Sequence, residues 1–186
     1  LLYHAQINIY GKSILSGGFL GIDIFFIISG YLISLSIFSK FKETKVFEFK
    51  KFFVNRLKRI LPNLLFVISV SALIAWFALS PNDFINFAKS SISAIAFNSN
   101  FYFHFSGNAF GEYNSLTKPL LHTWSLSLLI QFYLIFFLLL IFIFKYLRNY
   151  LSFILFIFFF MSFIFVYLYS KNNPSLGYYI LPTRFW

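Results

Sequence analysis

The chain has 186 residues, of which 60% are hydrophobic, 25% aromatic and only 11% charged. Soluble globular chains carry about 25% charged residues, so this one has too little charge to cover a water-facing surface, and an ordinary soluble domain is excluded. The net charge is +10 and Cys is absent, which removes disulfide scaffolds, thiolate nucleophiles and Cys-based zinc sites.

A membrane-crossing helix needs about 20 apolar residues. In chain order, residues 1–9 fit the end of a helix that begins earlier, with His4 inside it. They lack the Met, basic flank and small-residue cleavage site of a signal peptide. Full-length apolar runs follow at 19–38, 60–79, 126–144 and 150–169, and residues 177–186 read as the start of another helix. Residues 90–105 are mixed in character and are expected to form a loop or an interfacial helix, not a span. No repeat of fixed period is visible. The expected fold is an all-α, multi-pass transmembrane helical bundle. Because the sequence starts at Leu1 and ends at Trp186 within an apolar run, a segment cut at both ends is expected.

Lys and Arg accumulate in short cytoplasmic loops, and this fixes the expected direction. Residues 39–59 hold Lys40, Lys42, Lys45, Lys50, Lys51, Arg56, Lys58 and Arg59 against Glu43 and Glu48, so this segment is assigned to the cytoplasm. In residues 80–121, Lys89 and Lys118 are balanced by Asp83 and Glu112, which places that connection outside. Lys145 and Arg148 return the chain to the cytoplasm. Most of the charge therefore has a topological origin. Attraction to anionic lipid accounts for it better than nucleic acid does, since basic residues are not interleaved with aromatics on a soluble domain.

Polar groups inside or beside spans are the informative ones, because an ionisable side chain at a helix centre costs about 2.5–3.5 kcal/mol to insert. His4, Asp23 and Arg184 are such groups. Asp23 follows Gly17, Gly18 and Gly21, which permit close packing or a bent entrance. It reads equally as a carboxylate favourable to a helix start. Arg56 and Arg59 are three apart, on one helical face, where guanidinium forks suit phosphate oxygens; the same residues also read as the positive flank of a span. His4 has the ordinary imidazole pKa range suited to taking a proton from a hydroxyl. His104 and His122 read as loop or interface residues, and with no Cys and few carboxylates nearby no metal site is expected. The Phe-rich helices need no explanation beyond lipid contact and packing.

The order of motifs resembles the membrane-bound acyltransferase family 3, bacterial O-acyltransferases of cell-envelope glycans and other surface molecules. The matching segments run in sequence from Tyr3-His4 to the stretch from Gly17 to Ile33 that contains Asp23, and then to Arg56 and Arg59 before Ile60-Leu61-Pro62. They continue through Ser99-Asn100-Phe101-Tyr102-Phe103, Pro119-Leu120-Leu121-His122-Thr123-Trp124-Ser125-Leu126-Ser127, Gln131-Phe132-Tyr133-Leu134 and finally Leu181-Pro182-Thr183-Arg184-Phe185-Trp186. The resemblance covers nearly the whole chain and corresponds to the N-terminal half of a family domain. It implies an enzyme of the bacterial inner membrane that carries an acyl group, commonly acetyl, from cytoplasmic acyl-CoA to a hydroxyl of an envelope glycan. In that scheme His4 is the general base, Arg56 and Arg59 hold phosphate, and Asp23 or Arg184 supports the polar centre. Where the family reads Ser-Leu-Ser-Val-Glu-Glu-Gln-Phe-Tyr, this chain has Leu129 and Ile130 at the acidic positions. The alternative reading is accordingly a non-catalytic remnant or membrane scaffold of the same fold.

Overall fold

A computed structural model describes residues 8–9, 12–13, 20–44, 48–106, 118–170 and 174–184. The chain divides into two compact units, Leu1–Phe47 and Glu48–Trp186.

In the first unit, β1 (Asn8–Ile9) pairs antiparallel with β2 (Lys12–Ser13), with Asn8 opposite Ser13 and Ile9 opposite Lys12. The expected helix over 1–9 therefore does not hold at residues 8–9, which are strand, and its remainder, residues 1–7, lies outside the described residues. His4 lies outside the described residues. Helix α1 (Leu20–Thr44) follows, with Asp23 in its first turn and a buried stripe of Phe26, Ser29, Ile33 and Ile37 at spacings of three and four. A Cβ at Gly21 would meet nothing within 4 Å, so close packing is not the reason for this glycine.

The second unit opens with α2 (Phe49–Ala78), a 30-residue helix whose first eleven residues carry the basic side chains and whose remainder is apolar. It stops because Pro81 forces Ser80 into an extended conformation (ψ 156°). Ser80 then caps α3 (Pro81–Ile95), its Oγ accepting from the Asp83 backbone N–H at 3.3 Å and donating to the Asp83 carboxylate at 2.6 Å. α3 folds back along α2, with Phe87 packed on Ala75 and Leu120 and with Ile68, Ala72, Leu79 and Phe84 around them. Its end is a Schellman turn: Phe97 N–H donates to Ala94 O at 3.1 Å and Asn98 N–H to Ser93 O at 2.8 Å. That turn normally uses Gly at the left-handed position, yet here it is Phe97 at φ 52°. Then come α4 (Ser99–Phe105) and, after a turn beginning at Lys118, α5 (Thr123–Tyr146). A 3-10 turn at Arg148–Tyr150 leads to α6 (Leu151–Ser170) and α7 (Pro174–Tyr179).

Residues 90–105, expected as a loop or an interfacial helix and not a span, are the end of α3, the turn at 96–98 and all of α4. One expectation changes. Residues 177–186 do not begin a long helix, because α7 ends at Tyr179 and Pro182, which lacks an N–H, sits in a 3-10 turn at Leu181–Arg184. Among the described residues, four helices are long and apolar enough to cross a membrane, over Asp23–Phe41, Phe49–Ala78, Thr123–Tyr146 and Arg148–Tyr169. α6 shows what lipid contact looks like: Phe153, Phe156, Phe160, Phe163 and Tyr167 are exposed, while Ser162 is buried and donates to the Pro182 carbonyl at 2.6 Å.

Candidate functional site

Helix α5 organises the second unit because it is the most thoroughly buried helix and carries polar groups on its inner face. Four turns of it, from Trp124 to Phe137, hold eight buried residues, including Ser127, Leu129, Ile130 and Tyr133. Ser127 Oγ lies 2.7 Å from Ser99 Oγ and accepts the Ser99 backbone N–H at 3.2 Å. A side chain of one helix thus caps the first turn of another, and the seven-residue α4 needs this because so short a helix is unstable alone.

One turn further along α5, Gln131 Nε2 donates to Asn100 Oδ1 at 2.9 Å and to the Phe97 carbonyl at 3.0 Å, while Asn100 Nδ2 donates to Gln131 Oε1 at 3.3 Å and to the Tyr179 carbonyl at 3.1 Å. Asn100 is fully buried, so all its hydrogen bonding must come from protein groups. The two facing amides join α4, α5 and α7 and hold the strained Phe97 in place. Trp124 packs edge-on against Tyr179, with centroids 5.6 Å apart. On the far side of α4, the Tyr102 hydroxyl donates to the Asn86 carbonyl at 3.2 Å, and burial raises its pKa, which keeps it a donor.

The basic face of α2 runs antiparallel along the same helix. Phe49 and Phe52 lie against Phe137, with centroids 5.2 and 4.8 Å apart. Above them the Arg56 guanidinium sits 5.4 Å from the Phe52 ring centroid and 5.5 Å from that of Tyr133. This is cation–π geometry, which leaves the edges of the guanidinium fork available for an anion. Arg59, one turn on, lines a cavity of about 560 Å³ with Ile60, Asn63, Leu64 and Val67 of α2 and, from the opposite wall, His122, Thr123 and Leu126. Pro62 lies inside α2 and has no N–H to offer the Lys58 carbonyl one turn earlier.

The two arginines expected on one face are neighbours with different surroundings: Arg56 is half-buried on aromatic rings, and Arg59 opens into the cavity. Asp23 lies in the first turn of α1, in the other unit, and is half-buried. Arg184 closes the 3-10 turn at Leu181–Arg184, and its side chain lies outside the described residues. His122, read as a loop or interface residue, is part of the cavity wall with Thr123. Asn63 also lines it, and its one signal in the sequence is a polar residue directly after Pro62 at the head of an apolar run. Leu129 and Ile130 are buried, 3% and 5% exposed.

Helices able to cross a membrane, together with a guanidinium-bearing cavity between two of them, define an integral-membrane protein with a polar site among its helices. The sequence profile of the acyltransferase domain family matches residues 2–186, and the chain belongs to that family. It is 40% identical over 122 residues to the O-acetyltransferase OatA of Staphylococcus aureus strain NCTC 8325, covering 66% of this chain and 20% of the relative. A protein of S. aureus strain COL, named as a candidate O-acetyltransferase, is 35% identical over 137 residues, covering 73% of this chain and 21% of the relative. The chain thus spans about a fifth of the length of the curated relatives it matches. No solved structure matches it significantly.

Proposed function

We propose that this chain is part of an integral-membrane O-acyltransferase of the bacterial cytoplasmic membrane that moves an acetyl group from acetyl-CoA to a hydroxyl of a cell-envelope glycan. The observation that carries the reading is Arg59 in a cavity of about 560 Å³ with Arg56 stacked beside it, two guanidiniums aimed from the basic end of α2. Planar forks of this kind bind phosphate oxygens, and acyl-CoA is a phosphate-rich donor. The acetyltransferase names of the relatives support acetyl as the group moved.

In the transfer, the acceptor oxygen attacks the thioester carbonyl, a C–O bond forms, the C–S bond breaks, and CoA leaves as its thiol. His4 takes the hydroxyl proton, which ends on the departing sulfur; Asp23 or Arg184 supports the polar centre. Arg56 and Arg59 hold the donor and take no part in the bond changes.

A second reading, a non-catalytic protein of the same fold, is favoured by Leu129 and Ile130. Both are buried, so the apolar residues are packed into the helix bundle where the family carries an acidic pair. One experiment separates the readings. Membranes containing the native chain, or the Leu129→Glu/Ile130→Glu variant, are given radiolabelled acetyl-CoA and the labelled envelope polysaccharide is counted. Transfer by the native chain supports the enzyme. Transfer by the variant alone, a gain of about 10²–10⁴ in rate if a carboxylate assists proton transfer, supports the non-catalytic reading of the native chain. No transfer by either, with normal membrane insertion, overturns the enzyme reading.

A further inference from the structure

Contacts with α5 set how far α3 and α4 reach toward the middle of the membrane. Phe87 of α3 packs on Leu120, just before α5 begins, and the turn after α3 places the Phe97 carbonyl on the Gln131 amide. From Phe87 to Ile95 is about 12 Å of helix, and from Thr123 to Gln131 is about 12 Å as well, so the two segments run inward side by side. α4 then returns. Asn100 is held by Gln131, whereas Phe103 lies under the Lys118 ammonium and Ser106 accepts from it at 3.3 Å, back at the level where α5 starts. Lys145 marks the end of α5 that its charge assigns to the cytoplasm, and Gln131 is about 21 Å from it along the helix axis. In a hydrocarbon layer of about 30 Å, the turn between α3 and α4 therefore sits about 9 Å below the outer boundary.

The side chains suit that depth. Residues 90–105 contain no Lys, Arg, Asp or Glu, whereas Lys89 and Lys118, the two basic residues of 80–121, stand where the chain goes in and comes out. Ser90 and Ser91 both donate to the Phe87 carbonyl, at 2.7 and 2.9 Å, and Ser93 donates to the Lys89 carbonyl at 3.0 Å, so these hydroxyls are satisfied on their own helix and need no water. The non-helical turn is satisfied by protein: Ser127 accepts the Ser99 N–H and Gln131 donates to the Phe97 carbonyl, as irregular backbone at membrane depth requires. Yet Ile92, Ile95, Phe101 and Phe105 are exposed. We infer that residues 87–106 form a re-entrant hairpin, entering and leaving the membrane from the outer side, whose Ile92, Ile95, Phe101 and Phe105 lie against the acyl chains of the outer leaflet. Lipid hydrocarbon is the occupant of this face because the register against α5 puts it below the membrane surface. Lys89 and Lys118 are then at the height of the lipid phosphates. The inference rests on that register and stands apart from the question of catalysis.

The chain has no Cys, so a single introduced Cys carries a nitroxide label to one chosen position. Ile85→Cys, Ile92→Cys and Ile95→Cys place it at increasing depth on the exposed apolar side of α3, and Asn82→Cys places it on the exposed start of that helix. With the full chain in phospholipid vesicles, electron paramagnetic resonance compares collisions of the label with oxygen, which enters hydrocarbon, and with a polar nickel chelate, which is expelled from it. The oxygen-to-nickel ratio should rise from 85 through 92 to 95, and at 95 it should exceed that at 82 by more than about tenfold. Equal ratios at 85, 92 and 95 mean a helix lying flat in the surface and overturn the hairpin. Nickel collisions at 92 and 95 as frequent as at 82 put those positions in water and overturn it as well. Low collision rates with both reagents at 92 and 95 mean that protein covers this face, and they overturn lipid as its occupant.

Discussion

Replacing Gln131 by Leu removes the side chain on which three helices converge. Two donated bonds disappear, to Asn100 Oδ1 at 2.9 Å and to the Phe97 carbonyl at 3.0 Å, and so does the acceptor for Asn100 Nδ2. Asn100 keeps its bond to the Tyr179 carbonyl, but its Oδ1 has lost the Gln131 amide inside a fully buried site. A buried polar group left without its partner costs about 1–3 kcal/mol. Interhelical hydrogen bonds in membrane bundles are weaker than this suggests, averaging about 0.6 kcal/mol with a maximum near 1.7, because the unfolded chain in a membrane also finds partners. Weighing the two, Gln131→Leu should destabilise by about 2 kcal/mol, and a double-mutant cycle with Asn100→Leu should give a coupling of about 1 kcal/mol. The readout is the midpoint of SDS-induced unfolding from mild-detergent micelles, followed by far-UV circular dichroism. Leu134→Ala, on the exposed side of the same helix at 38% exposure, is the comparison and should change stability by less than about 0.5 kcal/mol. Equal midpoints for the two variants, or a coupling within about 0.3 kcal/mol of zero, would refute the claim that the paired amides hold α4, α5 and α7 together.

Three further outcomes are expected. Ser80→Ala removes the cap of α3 and should cost about 1 kcal/mol in the same unfolding assay, whereas Ser80→Thr should hold the native midpoint because its hydroxyl can both accept the Asp83 N–H and donate to the Asp83 carboxylate. Arg56→Lys keeps the charge and loses the planar fork and its ring stacking; in acetyl-transfer kinetics it should raise the KM for acetyl-CoA about tenfold with little change in kcat, and an unchanged KM would remove Arg56 from the donor site. Ser162→Ala should cost about 0.6 kcal/mol by depriving the Pro182 carbonyl of its donor, and a neutral result would mean that this bond does not hold α6 to the following 3-10 turn.

The helices were legible from the sequence because about 20 consecutive apolar residues have few alternatives in lipid: α5 contains the expected run 126–144, and α1, α2 and α6 each hold all but one residue of theirs. Their ends were less legible. α2 begins eleven residues before its apolar run, since Lys and Arg are good helix formers and no breaker separates Phe49 from Ile60. α3 and α4 were obscured by mixed composition. α3 is amphipathic, with Phe84, Ile85, Phe87, Ala88, Ile92, Ala94 and Ile95 on one half and Asn82, Asn86, Lys89 and Ser93 on the other, so its composition falls short of a span although its period is helical.

The site was legible in part. Arg56 and Arg59 could be picked out because charge is scarce in this chain. The role of His122 and Asn63 could not, because their membership of one cavity comes from the antiparallel register of α2 on α5, a long-range fact that no local pattern encodes. The Asn100–Gln131 pair, 31 residues apart, lay inside motifs that carried the family resemblance without disclosing that the two amides face each other.

The central claim, that this chain takes part in O-acetyl transfer from the cytoplasmic donor to an envelope hydroxyl, is tested most directly by measuring transfer of radiolabel from acetyl-CoA to envelope polysaccharide in membranes bearing the native chain, His4→Ala or Arg59→Gln. The account predicts label on the polysaccharide with the native chain, its loss with His4→Ala, and its recovery at high acetyl-CoA with Arg59→Gln. Equal labelling by native and His4→Ala membranes, or none from native membranes in which the protein is inserted normally, would contradict it.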